Sequence, residues 1–368
     1  MSTEAPRHPV LDGIPYLRAG REALAAEALA RQEAGDAEGA LILLLADQDD
    51  WWRGPSADPA ALRELIRQRH RLTLREAMAL LGWGPVADYF AHRWSDPTFL
   101  AGLALVEAHW NAPASAFELA CGIGHHLREL SRRGVAVAGA DVVFAKLWVA
   151  RHWVCPEARL WCLDAAQPWP DLGRFDLVGC HDAFYFLEPK PAILDRLRSL
   201  LAPGGLLAIS HVHNRDWPNL SAGSAMTAAA MQDMFPAGHL YDDAELTRAL
   251  AEGRAPTPGC PPDAEAFAVA EGGATPAAFS DGSGGFLPGA ALPVSGGLAL
   301  PPEGAVLRRN PLYDATGGLR WPSERYAGEY GPRATYPPRS DAPTQAVLDD
   351  ATREAARRRE LLDLPERW

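Results

Sequence analysis

The chain has 368 residues, 48% hydrophobic and 22% charged, the composition of a soluble globular protein long enough to bury a sizeable core. Its 47 acidic and 35 basic residues give a formal net charge of -12, which argues against general attraction to nucleic acid or an anionic membrane and favours a small-molecule partner. The longest apolar run, Ala40 to Ala46, falls far short of the roughly eighteen residues of a membrane span, and the N-terminus shows no basic-then-apolar leader, so the expected location is the cytoplasm.

The first elements read as helices. Arg21 to Gly35 has strong helix formers with leucines at helical spacing, and Asp58 to Arg71 starts on a capping aspartate and ends in basic residues. Thr73 with Glu76 three residues on is a capping box, closed by Gly82 and Gly84. No basic cluster accompanies these helices, so packing is expected of them and not DNA reading. Tyr89, Phe90, Trp94 and Phe99 follow; helical spacing marks Phe90 and Phe99 as core, while Tyr89 and Trp94 are the candidates for a lid over a substrate.

From Ser115 short apolar runs alternate with helical ones: SAFELA, VAVAGAD, ARLWCLD, FDLVGC and GLLAIS, with helical segments between them, notably KPAILDRLRSLLAPGG from Lys190 to Gly205. Such alternation implies a parallel sheet with right-handed crossovers, and ligands beyond the carboxyl ends of the strands. The stretch FELACGIGHH, Phe117 to His126, is the loop where the first strand gives way to a helix. It is a poor phosphate loop: the third position of the dinucleotide pattern is Leu127, and the carboxylate of Glu118 would repel a phosphate on the helix N-terminus.

This stretch resembles motif I of the class I, Rossmann-like, S-adenosylmethionine-dependent methyltransferases, an acid followed by small residues at Ala120, Gly122 and Gly124. Further elements come in the matching order: Asp141 ending VAVAGAD, Asp164 with Ala165, FDLVGCHDAFYFLEP as motif IV, and LAPGG before the fifth strand. The resemblance spans roughly residues 115 to 215. It implies an α/β fold with a mostly parallel seven-stranded sheet, helices on both faces, and S-adenosylmethionine as cofactor. It also implies cofactor contacts from Glu118, Ala120, Cys121, Gly122, Gly124, Asp141, Val142, Asp164, Ala165 and His181, with Asp141 on the ribose hydroxyls and Asp164 near the adenine. The expected organisation is a helical N-terminal subdomain and lid over 1–110, the cofactor-binding core over 111–250, a Pro/Gly-rich irregular region completing the sheet over 251–340, and a C-terminal helix over 341–368 that docks or dimerises. Ala305 to Tyr313 is a possible strand, and Phe286, Leu287 and Leu298 argue against a wholly free segment.

Five histidines, His125, His126, His181, His211 and His213, fall at expected strand ends. Methyl transfer from a sulfonium needs alignment, exclusion of water and removal of the acceptor's proton, for which histidine has a suitable pKa. The catalytic candidates are His181 as base with Asp182 as its partner, then His211 or His213, and Tyr185 joins Tyr89 and Trp94 as a substrate contact. The leading reading is methylation of an oxygen or nitrogen of a small molecule, with no metal. Its alternatives are a metal-assisted O-methyltransferase using His181, His211 and His213, aminopropyl transfer, and a noncatalytic cofactor-binding or scaffold protein. Catechol-methylating relatives hold a divalent ion with Asp and Asn ligands, of which only Asp182 and Asn214 have counterparts.

Overall fold

A computed structural model describes residues 7–218, 223–273 and 298–368. A short hairpin, β1 (Val10–Leu11) and β2 (Ile14–Pro15), precedes the helices α1 (Glu22–Glu33), α2 (Ala37–Ala46), α3 (Pro59–Gln68) and α4 (Leu74–Leu80). Their starts follow from capping chemistry: Asp36 accepts from Gly39 N, Asp58 from Ala60 N, and Thr73 and Glu76 satisfy each other's backbone donors. The apolar run of α2 buries Ala40, Leu41, Leu44 and Leu45. Next come α5 (Pro85–His92) and α6 (Pro97–Ala108), the latter capped by Asp96 and buried along its whole length between the central sheet and a later helix.

The sheet is built from β3 (Ser115–Leu119), β4 (Ala136–Asp141), β5 (Arg159–Cys162), β6 (Phe175–His181), β7 (Leu201–His213), β8 (His239–Asp242) and β9 (Ala266–Gly272). Between them lie α7 (His125–Ser131), α8 (Phe144–Val149), α9 (Lys190–Ser199), α10 (Ala228–Met234) and α11 (Asp243–Glu252). The strand order is β5-β4-β3-β6-β7-β9-β8; β5 to β7 pair parallel, and β9 runs antiparallel between β7 and β8. The chain goes outward from β3 through β4 to β5, then returns to place β6 on the other side of β3. That reversal opens a crevice at the carboxyl ends of β3 and β6, where a ligand binds in such sheets.

The rest of the chain forms β10 (Val306–Arg309), α12 (Glu324–Tyr330), β11 (Gln345–Val347), α13 (Arg353–Arg357) and β12 (Leu361–Leu362). The expected strand near Val306 is present, but it is the centre of a separate antiparallel sheet of order β11-β10-β12. The single C-terminal helix expected over 341–368 is not observed. Only Arg353–Arg357 is helical, because Leu361 and Leu362 pair with Arg309 and Arg308 and are buried there, a tertiary pairing that overrides local helix propensity. Leu298 is buried, whereas Phe286 and Leu287 lie outside the described residues. Among the described residues no helix is long and apolar enough to cross a membrane.

Candidate active site

The loop after β3 is held by Asp141 at the end of the neighbouring strand. One carboxylate oxygen accepts from Gly122 N at 3.0 Å, the other from Val143 N at 2.9 Å, and Lys146 stands 3.6 Å away. Ala120, Gly122 and Gly124 all have positive φ, of 57°, 55° and 84°. Glycine is needed at Gly122 for a second reason, since a Cβ there would meet the Phe90 ring at 3.3 Å. Gly124 is the left-handed residue at the start of α7 and packs on Ala150 and Cys155. Asp164 accepts from Ala166 N at 2.8 Å, which turns the chain after β5. These residues border a cavity of about 820 Å³ whose walls include Glu118, Ala120, Cys121, Gly122, Asp141, Val142, Asp164, Ala165, His181 and Asp182.

At one end of the cavity, Glu118 stands on the wall beside His126. Its Oε1 lies 3.1 Å from His126 Nδ1, while Oε2 is buried without a partner. Burial pushes this carboxyl up to about 7, against the attraction of His181 and Arg93 and with the repulsion of Asp141. His126 and His181 stack with ring centroids 4.2 Å apart, and His181 Nδ1 is bonded to Ser210 Oγ at 2.8 Å. Burial lowers both imidazoles to about 3, so they are neutral at physiological pH. Gly102 on α6 makes room for this group, because a Cβ there would lie 2.6 Å from His126 Nε2 and 3.2 Å from His181 Nδ1. Gly102→Ala is therefore expected to lower stability by about 1–3 kcal/mol in denaturant unfolding, by overpacking a buried helix-to-sheet contact; an unchanged midpoint would refute the crowding.

At the other end, Asp182 is the hub. Its Oδ2 accepts from Tyr89 OH at 2.8 Å and from Arg93 Nη1 at 2.9 Å, and its Oδ1 accepts from Tyr185 OH at 3.1 Å. Burial alone would raise this carboxyl, but Arg93, then His211 and His213, and the Tyr89 hydrogen bond outweigh it and hold it below the ordinary aspartate value. Behind Asp182, His211 Nε2 is 3.9 Å from its Oδ1, and His211 Nδ1 is bonded to Asp243 at 2.8 Å. Burial disfavours the imidazolium of His211, yet Asp243 and Asp182 more than compensate and its pKa is raised. His213 stacks on Tyr185 with centroids 3.9 Å apart, and burial lowers it to about 4. From the C-terminal segment, Tyr326, Glu329 and Tyr330 of α12 complete the wall, and Trp51 and Trp52 stand on its N-terminal side.

Residues 92–252 match a protein family described as "Methyltransferase domain". This stretch is thus similar to a methyltransferase domain. It is similar to trans-aconitate 2-methyltransferase of Delftia acidovorans, 29% identical over 182 residues that cover 44% of this chain and 66% of that one. The enzyme of the same description from Variovorax paradoxus is 31% identical over 159 residues, covering 41% of this chain and 58% of that one. The chain thus spans less than two thirds of the length of these curated relatives. Among solved structures it is similar to SAM-bound CalS10, an amino pentose methyltransferase from Micromonospora echinaspora, at 28% identity over 33% of this chain and 52% of that one, TM-score 0.28. The plantazolicin methyltransferase BpumL in complex with SAH is 13% identical, covering 58% of this chain and all of that one, TM-score 0.40.

Around the cavity, the structure gathers most of the residues expected from the sequence, but not in the expected pairs. His181 belongs to the Glu118–His126 group, and Asp182 takes its hydrogen bonds from Tyr89, Arg93 and Tyr185, because backbone direction changes at Asp182, where φ is +53°. Tyr89 and Tyr185 line the cavity, whereas Trp94 is buried against His125, 4.3 Å between ring centroids, and is not on the wall. Phe90 is buried in the core as expected, packs on the glycine loop at Gly122, and also borders the cavity. Arg93 and Asp243 were not singled out from the sequence. The available signal for Arg93 was a lone arginine among aromatic residues destined for burial; Asp243 looks like an ordinary acid in the first turn of a helix.

Proposed function

We propose that the protein transfers a methyl group from S-adenosylmethionine to an oxygen or nitrogen of a small molecule, with Asp182 as the group that meets the acceptor. The observation that carries this reading is the position of Asp182 on the wall, between the glycine loop and a tyrosine-lined chamber, with its two oxygens already oriented by Tyr89, Arg93 and Tyr185. The residues fit the cofactor: Asp141 keeps a lone pair on each oxygen for ribose hydroxyls, and the unpartnered buried Oε2 of Glu118 suits an ammonium group. Bound S-adenosylmethionine supplies a methyl group already activated on a sulfonium.

Asp182 accepts the hydrogen bond of the acceptor's O–H or N–H and so aims the lone pair. As the new bond to carbon forms, that hydrogen becomes strongly acidic, and a carboxylate of low basicity suffices to receive it. The tyrosines of α5, α12 and the segment after β6 exclude water. His211, held by Asp243, acts through Asp182 as a positioning residue. Proton removal is thereby assigned to Asp182 and not to His181, whose Nδ1 is engaged by Ser210.

The direct test is calorimetry with S-adenosylmethionine and S-adenosylhomocysteine, followed by methyl transfer to a panel of hydroxyl and amine acceptors. Micromolar cofactor binding with product formation supports the reading, and a folded protein that binds neither nucleoside refutes it. Affinity should also depend on pH. The ammonium needs the Glu118 carboxylate, which carries a proton below about 7, and the groups facing it are His126, His181, Arg93 and Asp141. Cofactor affinity is therefore expected to fall as pH drops from about 8 to 6, by up to about tenfold per unit below 7. Glu118→Gln should bind weakly with a flat profile, and a pH-dependent Glu118→Gln would refute the assignment.

A further inference from the structure

We propose that Asp182, His211 and His213 form a binding site for a first-row divalent cation, in the class of zinc, manganese or iron(II), directly behind the acceptor wall. The proposal rests on reading Asp182 as part of that wall. One ligand atom from each residue lies within 4.8 Å of the others, and His211 Nε2 and Asp182 Oδ1 are 3.9 Å apart, so a small inward shift brings them to the roughly 3.3 Å separation of two ligands on one tetrahedral ion. Asp243 is bonded to His211 Nδ1, which leaves the Nε2 of His211 directed at the Asp182 carboxylate.

Three further observations point to the same gap. His213 is 7% exposed and neither of its ring nitrogens has a hydrogen bond among the described residues, although it is aimed at the pair. Both Asp182 and His211 have positive φ, +53° and +55°, and His211 lies where the pairing of β7 with β9 shifts register between Ile209 and Val212. Strain of about 1–3 kcal/mol per residue is thus stored at two residues that face each other. The Asp243–His211 bond is the carboxylate–histidine arrangement that fixes the tautomer of a ligating imidazole. Among the described residues, Asp96, Asp182, Asp243 and Glu265 meet two guanidiniums, those of Arg93 and Arg333, and the imidazole of His211, so the neighbourhood is net acidic and suits a cation.

Two imidazoles with one carboxylate favour a transition ion over magnesium or calcium. Asn214 is not a fourth ligand, because its amide donates to Pro262 O and Ala264 O and its oxygen accepts from Asp216 N. Within the proposed function, the ion fixes the orientation of Asp182 toward the acceptor.

The full-length protein, stripped with a chelator, is titrated with Co²⁺ while d–d absorbance is recorded, and zinc uptake is measured by elemental analysis. The expected result is one ion per chain, displaced by Zn²⁺, and lost in both His211→Gln and His213→Gln. Asp243→Asn should retain the site but bind about 10–100-fold more weakly. A stripped, folded protein that takes up no Co²⁺ at 100-fold excess overturns the proposal, as does uptake that persists in the His211→Gln/His213→Gln double variant. Far-UV circular dichroism establishes that each variant is folded. Calorimetry with S-adenosylmethionine on the same samples separates loss of the ion site from failure of the methyltransferase reading, since the Glu118–Asp141 end contains none of the three ligands.

Discussion

Asp182→Asn is expected to lower kcat by about 10²–10⁴-fold while the Kd for S-adenosylmethionine changes less than about twofold. The asparagine oxygen can still accept from Tyr89 or Tyr185, so the shape of the wall survives, but the amide can neither take a proton nor pair with Arg93. Arg93 is buried and keeps Asp96 at 3.3 Å, so part of its countercharge remains. Breaking a buried pair typically costs about 3–5 kcal/mol, and the remaining partner should reduce that loss. A lower melting temperature is therefore expected, and single-turnover rates should be measured well below it. Retention of full kcat, or equal losses of turnover and cofactor affinity, would remove Asp182 from the acceptor site. Tyr185→Phe is the informative contrast, because it deletes one donor to Asp182 while leaving the carboxylate and its Arg93 contact in place.

The glycine-loop half of the cavity was legible because its chemistry is local. Asp141 ends a strand and holds the adjacent loop, and the positive φ values at Gly122 and Gly124 are requirements that the residue types announce. The capping box at Thr73 and the helix over Lys190–Ser199 were readable for the same reason. The half around Asp182 was not, because it is assembled from segments far apart in the chain. Arg93, Asp182, Asp243 and Tyr330 meet only once α6 is sandwiched between the sheet and α11, and α12 is laid across the crevice. Pairing His181 with Asp182 was a natural reading of adjacent residues, yet the strand ends at His181 and the positive φ of Asp182 turns its side chain elsewhere. The hairpin β1–β2 and strands β8 and β9 escaped notice because they are short or lie in glycine- and proline-flanked stretches whose pairing partners are remote. Trp94 shows the complementary limit: nothing in its spacing separated a lid residue from one packed against His125.

Asp141→Ala should weaken binding of S-adenosylmethionine by more than about 100-fold, a loss of at least about 2.8 kcal/mol. Two costs add. The substitution removes the acceptor for any ribose hydroxyls, and it leaves the backbone donors of Gly122 and Val143 without their partners, each worth about 1–3 kcal/mol where water cannot replace it. Lys146, left without Asp141, still has Asp49 at 3.7 Å, so its charge is not stranded. Asp141→Asn separates the two costs, because its single oxygen can satisfy one backbone donor but not both. Its affinity should fall between those of the wild type and the alanine variant, with the loop partly restored. Asp164→Ala, by comparison, loses the turn contact to Ala166 N and should be milder if the adenine contact is the weaker of the two. Calorimetry on all three variants decides the matter: an Asp141→Ala protein that binds the cofactor as tightly as wild type would show that the loop holds itself, and that the ribose is recognised elsewhere.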